Sequence, residues 1–185
     1  MASKGTVLAS VAGTSLAVVA LDQGSKVWAV SALAGRERID LLGKWFGLEL
    51  HYNPGASFSF AAGSTWVFAV VALVTVAVIA RYAPRITNLT WAMLAGTFLG
   101  GAVGNLIDRL FREPGFMRGH VVDFLAYGDW FIGNIADVAL VGAAAAFMLL
   151  TVLGIEPWPA KEEAAPKKAA REAAGANDES EPGDE

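Results

Sequence analysis

Long uninterrupted apolar stretches dominate this sequence of 185 residues. They do not alternate between apolar and polar positions as strands do, and each reaches or approaches the roughly 20 residues with which a helix crosses a bilayer. Because only helices and closed barrels satisfy the backbone in lipid, the pattern predicts four membrane-spanning helices. The four stretches cover residues 6–34, 64–80, 86–107 and 131–155.

The first apolar stretch has a second interpretation. Lys4 followed by an apolar core and by Val18-Val19-Ala20 also fits a cleavable signal peptide. The apolar character resumes after Lys26 with Val27-Trp28-Ala29-Val30, however, and this favours a longer, retained helix.

The segment between the first two stretches contains a different pattern. Residues 45–52 alternate, so that Phe46, Leu48 and Leu50 share one face, and a turn sequence follows at Asn53. We therefore expect an all-α membrane protein of four transmembrane helices, with a small β-sheet on its extracytoplasmic surface.

Composition divides the chain in two. Apolar residues make up 55% of the sequence, whereas residues 156–185 are polar and contain nine acids and four bases. We expect a transmembrane domain over residues 1–155 and a disordered, charged cytoplasmic tail over residues 156–185. No basic stripe indicates a nucleic-acid partner, and a chain with no cysteine and two histidines predicts no metal site and no cofactor.

The positions of the basic residues predict the orientation in the membrane. Lys4 precedes the first span, Arg81 and Arg85 lie in the short loop between the second and third, and more lysines follow the fourth. The positive-inside rule then places both termini in the cytoplasm.

Charged residues inside or beside the spans are costly unless they are paired, wetted or functional. With four spans of alternating direction, all of these residues fall towards one membrane face, which is the outer face in this orientation. They are Asp22, Lys26, Asp108, Arg109, Asp123 and Asp137.

The spacing of these charged residues indicates which of them have a structural role and which a functional role. Asp22 and Lys26 are four residues apart on a helix, which is typical of a structural ion pair. Asp137 has no base in its own span, and this favours a functional role. Asp123, judged alone, is an ordinary acid in a surface loop.

Amide side chains accompany the acids on the third and fourth spans. Asn105 shares a helix face with Asp108 and Arg109, where Asp108 can neutralise its neighbour, and a structural cluster is as consistent with this spacing as a substrate contact. Asn134 and Asp137 repeat the spacing of three residues. His51 and His120 show no ligand spacing and are interpreted as loop residues.

Glycine recurs every four residues on the third span, at Gly96, Gly100 and Gly104. Small residues at this spacing allow membrane helices to approach closely. Packing is the favoured interpretation, and it would bring the spans that carry polar residues together.

Two aspartates held close together support a specific chemistry. Both cannot ionise easily, so one carboxylate accepts a proton from water while the other, protonated, donates to a substrate carbonyl. This is the chemistry of aspartic proteases, and it needs neither a cysteine nor a metal.

Five motifs in this order resemble the lipoprotein signal peptidase (signal peptidase II) family of aspartic endopeptidases. They cover nearly everything except the tail. The motifs are Asp22-Gln-Gly-Ser-Lys26, Asn53-Pro-Gly-Ala-Ser-Phe58, Gly100-Gly-Ala-Val-Gly-Asn-Leu-Ile-Asp-Arg109, Val121-Val-Asp-Phe124 and Asn134-Ile-Ala-Asp137.

The resemblance implies a membrane peptidase that removes the signal peptide from diacylglyceryl-modified prolipoproteins, cutting just before the lipid-bearing cysteine. It implies Asp123 and Asp137 as the catalytic pair, in a monomer with membrane lipids and lipid-modified prolipoproteins as partners. The residues that it implies as substrate-binding or supporting are Asn53, Gly101, Asn105, Asp108, Arg109, Asn134, Asp22 and Lys26.

The chain departs from the family pattern at two places. Gly133 stands where the family usually has phenylalanine, and only 14 residues separate Asp123 from Asp137. The start of the fourth helix is therefore expected to differ locally.

Other classes of membrane protein remain as alternatives. Presenilin-like and prepilin-type peptidases also use paired aspartates, but their Gly-x-Gly-Asp motif is absent. A proton-coupled or small four-span transporter would use intramembrane acids as relays, although such proteins usually contain internal repeats. A four-span scaffold would leave the polar clustering unexplained.

Overall fold

A computed structural model describes residues 2–55 and 65–158 of the chain. Within these ranges it contains four helices that are long and apolar enough to cross a membrane, as predicted. The helices are α1 (Lys4–Leu33), α2 (Trp66–Tyr82), α3 (Leu89–Phe111) and α4 (Ile135–Val152). The residues of the tail from position 159 onward lie outside the described ranges.

Helices α1 and α3 run in the same direction and pack along the predicted glycine positions. A Cβ atom at Gly100 would lie 2.7 Å from the carbonyl oxygen of Ser15, and one at Gly104 would lie 2.5 Å from Asp22 Oδ2. The absence of these side chains lets α3 contact the α1 backbone directly. Close packing thus brings the polar residues of the two helices into contact.

A four-stranded antiparallel sheet lies beside the ends of α1 and α3. The strands, in spatial order, are β1 (Ile39–Leu42), β2 (Phe46–Asn53), β3 (Val121–Tyr127) and β4 (Phe131–Gly133). The predicted strand is β2, and His51 on β2 pairs with Asp123 on β3. Phe124 of β3 packs with Ala29 and Leu33 of α1, which attaches the sheet to the helices.

The structure corrects three local predictions. Residues 131–133, predicted as the start of the fourth span, form β4, because the tight turn at Gly128 returns the chain to pair with β3. The segment around Asp123, predicted as a surface loop, is the buried strand β3. His51 lies in β2 and not in a loop.

Candidate active site

Asp123 is buried on β3 and is held by two amide side chains. Only 1% of the residue is exposed. Its Oδ2 accepts a hydrogen bond from Asn53 Nδ2 at 2.8 Å, and its Oδ1 accepts one from Asn134 Nδ2 at 2.6 Å. The pKa of Asp123 is raised to about 6, mainly by burial and also by the nearby charge of Asp137, while the hydrogen bonds from Asn53 and Asn134 offset part of the rise.

Asp137 lies in the first turn of α4, where its position is fixed by the helix cap. Its backbone N–H donates to Asn134 Oδ1 at 3.0 Å, and its Oδ2 accepts from the backbone N–H of Asn134 at 3.1 Å. This reciprocal arrangement satisfies donors that would otherwise lack partners at the start of a helix. It leaves Oδ1 free to accept from Asn105 Nδ2 at 2.8 Å.

Asn134 connects the two acids directly. Its side-chain oxygen caps α4, so its Nδ2 points towards Asp123 Oδ1 and, at 3.2 Å, towards Asn105 Oδ1. One buried residue therefore contacts Asp123 with its side chain and Asp137 with its backbone. The structure brings the two predicted catalytic residues together around it.

Lys26 lies behind Asn105, fully buried among carboxylates. Its Nζ is 2.8 Å from Asp22 Oδ2, 2.8 Å from Asp108 Oδ2 and 3.0 Å from Asn105 Oδ1. The last contact orients the amide of Asn105 so that its Nδ2 faces Asp137. Asp22 also accepts from the backbone N–H of Ala136 at 2.9 Å, which ties α1 to the first turn of α4.

Asp108 and Arg109 lie close enough for their charges to interact, although they form no direct ion pair. Within the described ranges, Asp108 forms ion pairs with Lys26 and with Arg112 at 2.7 Å, and it also accepts from the backbone N–H of Val122. Arg109 has different partners, because adjacent residues on a helix point about 100° apart. It donates to the carbonyl oxygens of Asn53 and Gly119, both at 3.0 Å.

Two residues of this cluster were not predicted as part of the site. Arg112 is four residues after Asp108, a spacing that signals an ion pair on a helix. Gln23 donates to Asp22 Oδ2 and to the Gly104 carbonyl, both at 3.0 Å. No local pattern predicts the second of these contacts, because it joins two different spans.

An apolar cavity of about 480 Å³ opens in front of both aspartates, between α2, α3 and α4. Its polar lining consists of Thr75 and five of the predicted site residues, namely Asn53, Asn105, Arg109, Asp123 and Asp137. The predicted residues Asp22, Lys26, Asp108 and Asn134 do not line it. Gly101 is not among these lining residues. A Cβ atom there would lie 2.7 Å from the Ala136 carbonyl oxygen, so Gly101 serves the packing of α3 against α4.

The charges of the cluster balance only if one carboxylate holds a proton. Four carboxylates lie within it, those of Asp22, Asp108, Asp123 and Asp137. Three cations accompany them, those of Lys26, Arg109 and Arg112. Since an uncompensated charge is costly beside lipid, one proton shared by Asp123 and Asp137 gives a neutral cluster.

The fold and the site define a class of multi-span membrane proteins with paired carboxylates at an apolar cavity. A family model described as "Signal peptidase (SPase) II" matches residues 14–153. A lipoprotein signal peptidase of Leifsonia xyli subsp. xyli is 46% identical over 80% of this chain and 69% of its own length. One of Mycobacterium avium is 43% identical over 80% of both chains. This chain therefore belongs to the signal peptidase II family.

Solved structures resemble the fold of this chain. A bacterial membrane enzyme aligns with a TM-score of 0.65 at 22% identity, over 75% of this chain and 90% of its own length. A second aligns with a TM-score of 0.64 at 21% identity, over 83% and 92%. At this identity the likeness concerns the arrangement of helices and sheet.

Proposed function

We propose that this protein is a membrane aspartic endopeptidase that removes the signal peptide from diacylglyceryl-modified prolipoproteins, cutting just before the lipid-bearing cysteine. The observation that carries this proposal is the bridge formed by Asn134 between Asp123 and Asp137 at the wall of an apolar cavity. Membership of the signal peptidase II family supports it, and no observation favours a transporter.

The cavity suits an apolar peptide segment next to a hydrolytic centre. Side chains of α2, including Phe68 and Val71, and of α4, including Leu140 and Val141, form its apolar walls. A signal peptide is apolar in its central region, so burial in this cavity is favourable at about 25 cal/mol per Å². The scissile bond then lies against the two carboxylates.

Asp123 and Asp137 divide the acid and base roles between them. The ionised carboxylate takes a proton from water as the oxygen attacks the scissile carbonyl, while the protonated carboxyl donates to the carbonyl oxygen. The C–N bond of the tetrahedral intermediate then breaks, the departing nitrogen takes a proton from the pair, and a hydroxyl group of the intermediate returns a proton to the pair as the carboxyl product forms. The single shared proton required by the charge balance is the protonation state that this step needs.

The positions of the basic residues support a proposal for the orientation of the protein. We propose that the sheet and the acids face the outer side of the membrane, with both termini in the cytoplasm, and that the protein acts as a monomer in contact with membrane lipids. The peptidase domain comprises residues 1–155. Residues 156–158 belong to the described structure, where the backbone N–H of Thr87 donates to the carbonyl oxygen of Pro157 at 2.9 Å, and the rest of the predicted tail lies outside the described residues. A chain ended near Ala160 should insert and cleave normally, because residues 161–185 contain no large apolar side chain that a core would need.

The test is cleavage of a diacylglyceryl-modified lipobox peptide by the purified full-length protein in detergent. We expect Asp123→Asn and Asp137→Asn to lower the rate by about 10² to 10⁴ or more, because asparagine cannot be the ionised base. Both variants should remain folded, since an amide is cheaper to bury than a carboxylate.

Two further substitutions act as controls. Asp129→Asn changes an acid whose side chain is 93% exposed and should leave cleavage unchanged. Asp108→Asn tests the choice between the buried acids. If Asp108→Asn were folded and inactive while Asp123→Asn still cleaved, Asp108 and not Asp123 would belong to the pair.

A further inference from the structure

A second cavity lies on the other side of Asp137. Its volume is about 500 Å³, and strands β3 and β4 form one wall while α4 forms the other. Asp137 and Val141 line both this cavity and the first one. These two residues are one helical turn apart, so they form the ridge that separates two cavities on adjacent faces of α4.

Gly133 and Phe131 shape the part of the second cavity that lies nearest to Asp137. A Cβ atom at Gly133 would lie 2.6 Å from Phe131 Cε1 and 3.1 Å from Asp137 Oδ2. The ring of Phe131 therefore covers Gly133, and it stacks on Tyr127 with 6.1 Å between the ring centroids. A larger residue at position 133 would push this ring away or crowd the carboxylate.

The lining of the second cavity selects an apolar ligand. Besides Asp137 it contains Tyr127, Phe131, Gly133, Asn134, Val138, Val141 and Gly142. An apolar ligand here would begin beside the carboxylate that faces the scissile bond. A diacylglyceryl-modified substrate is branched next to that bond, with a peptide in one direction and acyl chains in another.

We propose that the second cavity holds an acyl chain of the substrate, while the first holds the signal peptide. Phe131 and Gly133 are then the residues that determine which chains fit beside Asp137. This inference rests on the proposed function. The substrate's own chain is the occupant because Asp137, a residue of the candidate active site, lines both cavities.

Gly142 provides the means to test this assignment. A Cβ atom at Gly142 meets no other group within 4 Å, so a larger side chain enters the cavity without displacing protein atoms. Gly142 is five residues beyond Asp137, about 7.5 Å along the helix at roughly 1.5 Å per residue. A palmitoyl chain extends far past this position, whereas a butyryl chain ends close to it and makes few contacts there.

The experiment compares dipalmitoyl and dibutyryl lipobox peptides as substrates of full-length Gly142→Ala, Gly142→Leu and Gly142→Phe. We expect kcat/KM for the dipalmitoyl peptide to fall progressively from alanine to leucine to phenylalanine, by about tenfold or more for leucine. The loss of contacts made by roughly two methylene groups is enough for a tenfold change. Cleavage of the dibutyryl peptide should fall by a clearly smaller factor, because its short chains lose fewer contacts.

Gly13→Leu is the matched control, because Gly13 is also a helical glycine whose Cβ would meet nothing within 4 Å, on α1. This variant should cleave both peptides like the wild type. An equal loss for both peptides in Gly142→Leu, or no loss for either, would overturn the assignment of the cavity to an acyl chain. Failure of the folded wild type to cleave either peptide would overturn the proposed function, and this inference with it.

Discussion

Asn134 is the residue on which the geometry of the site depends most. Its oxygen caps α4, and its amide nitrogen donates to Asp123 and Asn105. Its distance of three residues from Asp137 is visible in the sequence. Its bond to Asp123 is not, because that bond depends on the hairpin of β3 and β4, which brings together residues eleven positions apart.

Local spacing predicted contacts within a helix but not those between elements. The ion pair of Asp22 and Lys26 is confirmed, because four residues make one helical turn. The ion pair of Asp108 with Lys26 was not predicted, since Lys26 belongs to another span. The sequence could not show which of several buried cations would face Asp108.

The hydrogen bond from Asn53 to Asp123 predicts a shift in the pH dependence of activity. An amide donor stabilises the ionised carboxylate, so its removal in Asn53→Ala disfavours the charged form and raises the pKa of Asp123 above about 6. We expect the limb of the kcat/KM profile near pH 6 to move to higher pH in this variant.

Asn88→Ala is the control for this measurement. The side-chain oxygen of Asn53 accepts from the backbone N–H of Gly55, and that of Asn88 likewise accepts from the backbone N–H of Thr90. Asn88 lies at the start of α3, far from Asp123 in the chain. The substitution Asn88→Ala should not change the pH at which the kcat/KM profile has its limb near pH 6. If this limb stayed at the same pH in Asn53→Ala, or moved to lower pH, the result would contradict the assigned role of Asn53.

At the level of the elements, helices were easier to predict than strands. The four spans have no charges or few, and their apolar runs are long. Strand β3 does not alternate, because both of its faces are buried over residues 121–124. Strand β4 has only three residues, and its apolar sequence continues into α4, so the two were read as one span.

The close contact of α3 with α1 predicts that glycine substitutions will differ sharply in their effect on stability. A methyl group at Gly100 would lie 2.7 Å from the Ser15 carbonyl oxygen, so Gly100→Ala should force the helices apart and lower the thermal midpoint of unfolding. Gly13→Ala, which meets open space, should leave it unchanged or raise it slightly. Equal midpoints for the two variants would argue against close packing at Gly100.

The buried ion pair predicts a second contrast in stability. Asp22→Ala leaves Lys26 with one fewer counter-ion and Ala136 N–H without its acceptor, and we expect the free energy of unfolding to fall by about 3 to 5 kcal/mol. Asp40, whose side chain is 56% exposed, pairs with Arg38, and Asp40→Ala should cost less than about 1 kcal/mol. Denaturation of both variants in detergent measures the difference, and similar losses would show that burial does not decide the cost.

For the whole molecule, hydropathy was sufficient to predict the number of spans and the membrane environment. Many large apolar side chains remain exposed on the helices, among them Leu16, Leu21, Val27 and Val152, as a surface in contact with lipid requires. The cavities could not be predicted in this way. They arise from the angles between helices and from the position of the sheet, which no single segment encodes.

The proposed orientation predicts the behaviour of reporters fused to the chain. A reporter at the C-terminus should respond as cytoplasmic, and a tag near Arg36, between α1 and β1, should be accessible from outside. The reverse pattern would place Asp123 and Asp137 on the cytoplasmic side. It would contradict the proposed substrate while leaving the chemistry of the pair intact.

The pairing of Asp22 with Lys26 also bears on how the chain enters the membrane during synthesis. Helix α1 leaves the ribosome before Asp108 and Ala136 have been made, so neither of these partners is available to it. Because Asp22 and Lys26 are one turn apart, they can neutralise each other at once, and a neutral pair enters lipid at lower cost than two separate ions. When α3 and α4 follow, Lys26 gains Asp108 and Asp22 gains the Ala136 N–H as partners. The same two residues thus make the nascent helix insertable and later join the first span to the last.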